Sequence, residues 1–380
     1  MPQPSYAHLG SFGGLIDTAK AQKPLFPIAP PGEETRRSAW ECFGFTAQEE
    51  QPVGARPERS WRIDGVDGEE ISWSVGFGPP THAWILKPAH ARGPLPGIIA
   101  LHDHGHYKLS GKEKIADGPD GPLPALEQFR HTYYGGRGYT NQLAREGFVV
   151  LAHDAFLWGS RKFPLDEMTD TERELARPVE AVLGAEVSSP TADFYNGAAY
   201  SHEHIVAKYC TLLGTNITAV VAYEDRVALN YLRGRSDVLA DQVACIGLSG
   251  GGLRAAVLRA TSDHLRACVI VGMMSTYDEL LDHCVAPHTW MLFPAGWSVR
   301  GDWPDLAACR APAALLIQYA LDDALFTAAG MRAADQRIAA HYKAAGAPEA
   351  YRGEFYPGPH RFDAPMQQNA FTWLKAQLRS

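Results

Sequence analysis

From Val243 to Arg259 the chain reads VACIGLSGGGLRAAVLR. A short apolar run of strand-forming residues meets Gly247-Leu-Ser249-Gly-Gly251, and a good helix former follows directly. A serine held at a tight strand-to-helix turn takes a strained backbone conformation, and its neighbours two positions away must be small to avoid clashes. Glycine supplies 36 of the 380 residues, so chance alone flanks about one serine in a hundred this way. The setting therefore decides the reading. The other candidate, Gly296-Trp-Ser298-Val-Arg300, lacks the second glycine. Ser249 is the candidate nucleophile.

Working outward, four more apolar runs read as buried parallel strands: Gly97–Leu101, Phe148–Ala152, Ala267–Val271 and Ala313–Ile317. Helix-like segments separate them, among them His202 to Arg233, taken as one long helix, and Leu253 to Arg259. Upstream, the runs beginning at Trp61, Ile71 and His82 are bounded by Gly or Pro, as in an antiparallel meander. A final strand over Tyr351–Tyr356 and a helix from about Met366 to Leu378 close the pattern. Strand, crossover helix and strand in repetition predict an α/β fold, with a mostly parallel central sheet of about eight strands and helices on both faces. Residues 1–57, rich in Pro, Gly and polar groups, read as an N-terminal extension with one short helix over Glu34–Phe43, and 58–380 as the main domain. Insertions at about 107–141 and 157–200 follow strand ends, where long loops serve as lids or pocket walls.

Composition narrows the classes of function. A hydrophobic share of 46% with 21% charged residues is that of an ordinary folded protein, and a net charge of -8 offers no basic stripe for nucleic acid. No run of about 18 apolar residues and no leader pattern is present, so a membrane partner is not expected and the cytoplasm is the expected location. The six cysteines form no C-x-x-C pair and read as reduced core residues rather than zinc ligands. The sequon at Asn216 is read as chance. The expected partner is a small molecule; oligomeric state is not written in the pattern.

A serine nucleophile needs a base and an acid. His360 lies in the rigid loop Tyr356-Pro-Gly-Pro-His360, just after the last strand, whereas His341 lies in a helix-like run and reads as a surface or helix-packing residue. The acid stands at the end of the strand before it, in Ala320-Leu-Asp322-Asp323, where residue pattern leaves the two aspartates open. An oxyanion hole requires two backbone N–H groups. The residue after the nucleophile, Gly250, gives one; His104, in the loop leaving the strand Gly97–Leu101, is placed to give the other, with Gly105 letting the chain pass close to substrate.

That loop also reads His102-Asp103-His104-Gly105-His106, and three alternating histidines raise a rival reading, a metal-dependent hydrolase using His102, His104 and His106. The H-x-H-x-D-H order of two-metal hydrolases is not met, so no metal and no cofactor are expected. His106, Tyr134, Trp158 and Trp290 are the candidate pocket residues, drawn from a wider aromatic set that includes Tyr133 and Trp297.

Taken together, HDHG at a strand end, GLSGGG with its following Arg254, DDALF and PGPH resemble the α/β-hydrolases of the dienelactone hydrolase and acetyl xylan esterase type. The likeness covers about residues 60 to 378 and extends to "VLAHDAFLWGSR" from Val149 to Arg161. It implies the α/β-hydrolase sheet, a Ser249–His360–Asp323 triad with Asp323 as the acid, and hydrolysis of a small carboxylic ester, acetyl esters among them, without a cofactor. Dienelactone hydrolases proper carry cysteine where Ser249 stands, and acetyl xylan esterases carry Gln where Gly250 stands. The same triad would also serve an amide, a thioester or a carbon–carbon bond.

Overall fold

Side-chain alternation along the central strands decides the layering. In β4, Ile98 and Ala100 pack with one hydrophobic cluster and Ile99 and Leu101 with another, all fully buried. A strand buried on both faces needs helices on both sides, and the chain supplies them. The computed structural model describes Tyr6 and residues 8–183, 190–282 and 284–378.

Helices α1 (Gly14–Gln22) and α2 (Glu33–Phe43) precede β1 (Val53–Ile63), β2 (Val66–Ser74), β3 (Thr81–Pro88) and β4 (Leu95–Leu101). Next come α3 (Pro124–Tyr134), α4 (Tyr139–Arg145), β5 (Val149–His153), α5 (Asp170–Leu183), α6 (Pro190–Leu212) and α7 (Ile217–Arg233). The remainder is β6 (Val238–Leu248), α8 (Gly250–Thr261), β7 (Ala267–Val271), α9 (Tyr277–Leu280), α10 (Trp303–Ala308), β8 (Ala314–Ala320), α11 (Ala328–Ala344), β9 (Tyr351–Tyr356) and α12 (Ala364–Leu378).

The sheet has nine strands, against the eight or so expected, in the order β1-β2-β3-β5-β4-β6-β7-β8-β9. From β5 to β9 every pairing is parallel, while β1, β2 and β3 form the antiparallel edge and β3 joins β5. Asp64 and Gly65, with φ of 48° and 75°, make the two-residue turn that sets the β1–β2 register. One face carries α2, α7, α8 and α11; the other carries α3, α4 and α12. After β4 the chain adds β5 on one side and then returns to add β6 on the other. Strand order reverses at β4, and the crevice beyond the carboxyl ends of β4 and β6 is where an open α/β sheet places its ligand.

Two expectations need correction. The stretch His202 to Arg233 is not one helix: α6 ends at Leu212, Gly214 takes φ +74°, and Asn216 starts α7 by accepting from the Ala219 N–H at 2.9 Å. That side chain also donates to the Cys42 carbonyl at 2.9 Å, so Asn216 serves as a cap rather than an open surface residue. Among the described residues up to 57 there are two α-helices rather than one, and β1 already begins at Val53. Ala39 and Phe43 of α2 are fully buried in the main core, with the Phe43 ring 6.0 Å from that of Trp297.

Candidate active site

Ser249 stands where β6 turns into α8, with φ 56° and ψ -121°, a conformation an L-residue adopts only under strain. The surrounding glycines show what makes room for it. A Cβ on Gly247 would lie 2.3 Å from the Gly251 carbonyl carbon, one on Gly251 would lie 2.1 Å from the Leu101 oxygen, and one on Gly250 would lie 2.6 Å from the His104 nitrogen. The last contact places the main chain of His104 against that of Gly250, as two oxyanion donors require.

His360 Nδ1 lies 2.6 Å from Asp323 Oδ2. The other oxygen of Asp323, Oδ1, accepts from the Leu325 N–H at 2.8 Å, so the carboxylate is aimed by its own loop. A carboxylate can only accept, so Nδ1–H is the donor to Asp323. Asp322 is exposed and does something else. It pairs through main chain and side chain with Gly358, at 3.1 and 2.7 Å, and so fastens the acid loop to the histidine loop. Gly272, at the end of β7 with φ +57°, leaves space for the ring: a Cβ there would lie 3.2 Å from His360 Cε1.

Ser249, Asp323 and His360 share one cleft of about 390 Å³, walled also by His104, Gly105, His106, Tyr133 and the segment Pro287–Thr289. Of the expected pocket residues only His106 lines it. Tyr134 is fully buried below, its hydroxyl on Asp103 Oδ1. Its neighbour Tyr133 faces the cleft, the ring edge-on to His360 at 6.2 Å, because one step along a helix turns the side chain by about 100°. Trp158 is likewise buried and donates from Nε1 to the His104 carbonyl at 3.2 Å, supporting the loop from behind. Trp290 is half-exposed at the rim, bonded to His204 Nδ1 at 2.8 Å. Trp297 belongs to the core.

The three histidines are engaged by separate partners. His102 Nδ1 bonds to the Asp103 carbonyl at 3.0 Å, and His104 Nε2 to Glu203 Oε2 at 2.8 Å. His104 Nδ1 accepts from the His106 N–H at 3.2 Å. Among the described residues no three His, Cys, Asp or Glu side chains converge as a metal ion would need. Burial pushes all three imidazoles below their ordinary range, His106 to about 3, and it pushes His288 of the facing wall to about 4. The walls are therefore neutral imidazole at ordinary pH. Gly105, with φ +56°, is needed less for substrate than for its neighbours, since a Cβ there would lie 2.2 Å from Asp103 Oδ2.

Residue pattern missed the group that ties these walls together. Glu203 of α6, buried, accepts from His104, and its Oε2 pairs with Lys108 Nζ at 2.6 Å. Its Oε1 takes the Thr289 hydroxyl at 2.5 Å and the Trp290 N–H at 3.2 Å. Although burial pushes the Glu203 carboxyl up, Lys108 and His104 outweigh it and hold the group well below the usual carboxylate range. No local signal distinguishes such a glutamate from a surface residue of an amphipathic helix.

Against known proteins the chain is most informative in three dimensions. No family model matches it. A Bacillus subtilis protein provisionally named a hydrolase, YtaP, is 23% identical over 297 residues, spanning 78% of this chain and 83% of that protein. Among solved structures, a Bacteroides fragilis protein provisionally described as an acetyl xylan esterase superposes with a TM-score of 0.66 at 15% identity, covering 90% of this chain and 81% of that one. The chain has the α/β-hydrolase fold. Methylesterase BT1017 superposes with a TM-score of 0.58 at 17% identity over 90% of this chain, which spans 62% of the length of that protein. As an α/β-hydrolase sheet, the fold sets its strained serine turn, acid loop and histidine loop on the carboxyl ends of β6, β8 and β9.

Proposed function

We propose that this α/β-hydrolase cleaves small, uncharged carboxylic esters through an acyl-enzyme on Ser249. The observation that carries the reading is the 2.6 Å His360–Asp323 pair in one cleft with a serine held at φ 56°. His360 Nε2 takes the Ser249 proton as Oγ attacks the carbonyl, and Asp323 holds the ring and stabilises the imidazolium. The N–H groups of Gly250 and His104 receive the oxyanion; His360 then protonates the leaving alcohol, and water releases the acyl group by the same route.

Substrate class follows from the walls. Among the described residues no Lys or Arg lines the cleft, and its imidazoles other than His360 are held neutral, so nothing there rewards a substrate anion. A volume of about 390 Å³ suits a short acyl group with a modest alcohol. The esterase descriptions of the two structural neighbours favour an ester over an amide. The test is a series of p-nitrophenyl esters of rising acyl length, with an acetylated sugar beside them. Turnover that is highest for short acyl groups and lost in Ser249→Ala supports the reading. Turnover that survives in Ser249→Ala, or that vanishes with a chelator and returns with zinc, overturns it.

A further inference from the structure

We propose that Lys114 is a positioning residue that fixes and polarises the peptide between Asp103 and His104, the one whose nitrogen lies against Gly250 and whose N–H would hold the oxyanion. The inference rests on the reading of Ser249 as the nucleophile of an ester hydrolase.

A trans peptide is planar, so its N–H points opposite to its C=O, and whatever grips the carbonyl aims the amide. The Asp103 carbonyl has two donors. Lys114 Nζ lies 2.5 Å away and His102 Nδ1 3.0 Å away. Lys114 is fully buried, and its ammonium also meets Asp103 Oδ2 at 3.2 Å and the His104 carbonyl at 3.3 Å. It stands behind the loop, away from the cleft, whose walls do not include it. A cation bonded to a carbonyl draws electron density through the amide and leaves its N–H a stronger donor toward a developing anion.

The neighbouring carbonyls are gripped as well. Arg254 Nη1 holds the His102 oxygen at 3.1 Å and Trp158 Nε1 the His104 oxygen at 3.2 Å. His102 fits this role closely: its Nδ1–H is on the Asp103 oxygen, while its buried Nε2 meets no partner among the described residues. The imidazole thus makes one hydrogen bond, and that bond is to the oxyanion peptide.

The test compares charge-neutral double variants, since Lys114→Met alone would strand the Asp103 carboxylate in the interior. Lys114→Gln/Asp103→Asn keeps an N–H donor for the peptide carbonyl, and Lys114→Met/Asp103→Asn does not. On p-nitrophenyl acetate, kcat of the Met variant is expected to fall below that of the Gln variant by roughly tenfold to a hundredfold, with similar KM. The affinity for phenylboronic acid, whose tetrahedral serine adduct places an oxygen on the same N–H, is expected to fall in parallel with kcat. His102→Phe removes the other donor, leaves every ion pair intact and is expected to repeat the pattern at smaller size. Equal kcat in the two double variants, or a loss of kcat with boronate affinity unchanged, overturns the proposal, and so does a His102→Phe variant with wild-type kcat and boronate affinity. A wild-type chain that neither hydrolyses the ester nor binds the boronate at Ser249 instead overturns the ester-hydrolase reading beneath it.

Discussion

Asp322 and Asp323 are adjacent, identical in type and opposite in office. Asp323 is buried with one oxygen on His360 and the other on its own loop; Asp322 is exposed and clips the two loops together through Gly358. Replacing Asp323 by Asn would leave an amide N–H where His360 Nδ1–H needs an acceptor, or force the other tautomer, so kcat on a small ester is expected to drop on the order of a thousandfold or more. Asp322→Asn keeps an oxygen for the Gly358 N–H and is expected to stay close to wild type. Steady-state kinetics on the two variants distinguish them, and the reverse ranking would show that the histidine takes its acid from the other neighbour. Pattern could place an acid at this strand end, but only coordinates separate neighbours whose side chains leave a loop in different directions. The same holds for Tyr133 and Tyr134, which differ by one helical step and by everything they touch.

At the scale of elements, α6 holds the site together from outside the sheet. Asn196 accepts from the N–H groups of Lys108 and Leu109 at 2.8 and 3.0 Å, and Glu203 joins His104, Lys108, Thr289 and Trp290. The helix thus grips the loop after β4 and the facing wall at once. Glu203→Leu would leave the Lys108 ammonium buried without a counter-charge, an arrangement that costs about 3–5 kcal/mol of stability. Denaturant unfolding should register that loss, and adding Lys108→Met should recover most of it. A single variant as stable as wild type would show that the pair is not desolvated as drawn. These ties were illegible in sequence for a physical reason. Gly111-Lys-Glu-Lys and His202-Glu-His have the composition of solvated segments, yet Lys112, Lys114 and Glu203 are buried, because their partners arrive from other segments of the chain. Strands were far more legible: the five apolar runs read as parallel strands all form them, as β4 to β8, since burial on both faces leaves an uninterrupted apolar signature.

For the molecule as a whole, the site's histidines link stability to pH. In the folded state His106 and His288 are held neutral by burial, down to about 3 and about 4, whereas in the unfolded chain each would take up a proton near 6.5. Between those values the unfolded state binds more protons, so stability rises with pH there. Their contribution is complete above about pH 6.5 and is lost as pH falls toward 4 and 3, at up to about 1.4 kcal/mol per pH unit for each group. Melting temperatures measured from pH 8 down to pH 4 are expected to fall below about 6.5, with a shallower slope in His288→Gln; identical slopes would contradict the assignment. The N-terminal region belongs to the same body, since Phe43 is part of the central core and Arg337 Nη2 holds the Pro27 carbonyl at 2.6 Å. Its Pro- and Gly-rich composition hid that role, because a segment can contribute one buried aromatic without showing a repeating apolar pattern.

The central claim is that Ser249 is the nucleophile, and a fluorophosphonate probe tests it most directly. Reacted with the intact protein and mapped by peptide mass spectrometry, the probe is expected to sit on Ser249, with labelling and ester hydrolysis both lost in Ser249→Ala. Ester hydrolysis that proceeds while Ser249 stays unlabelled, or a label found on another residue, would contradict it.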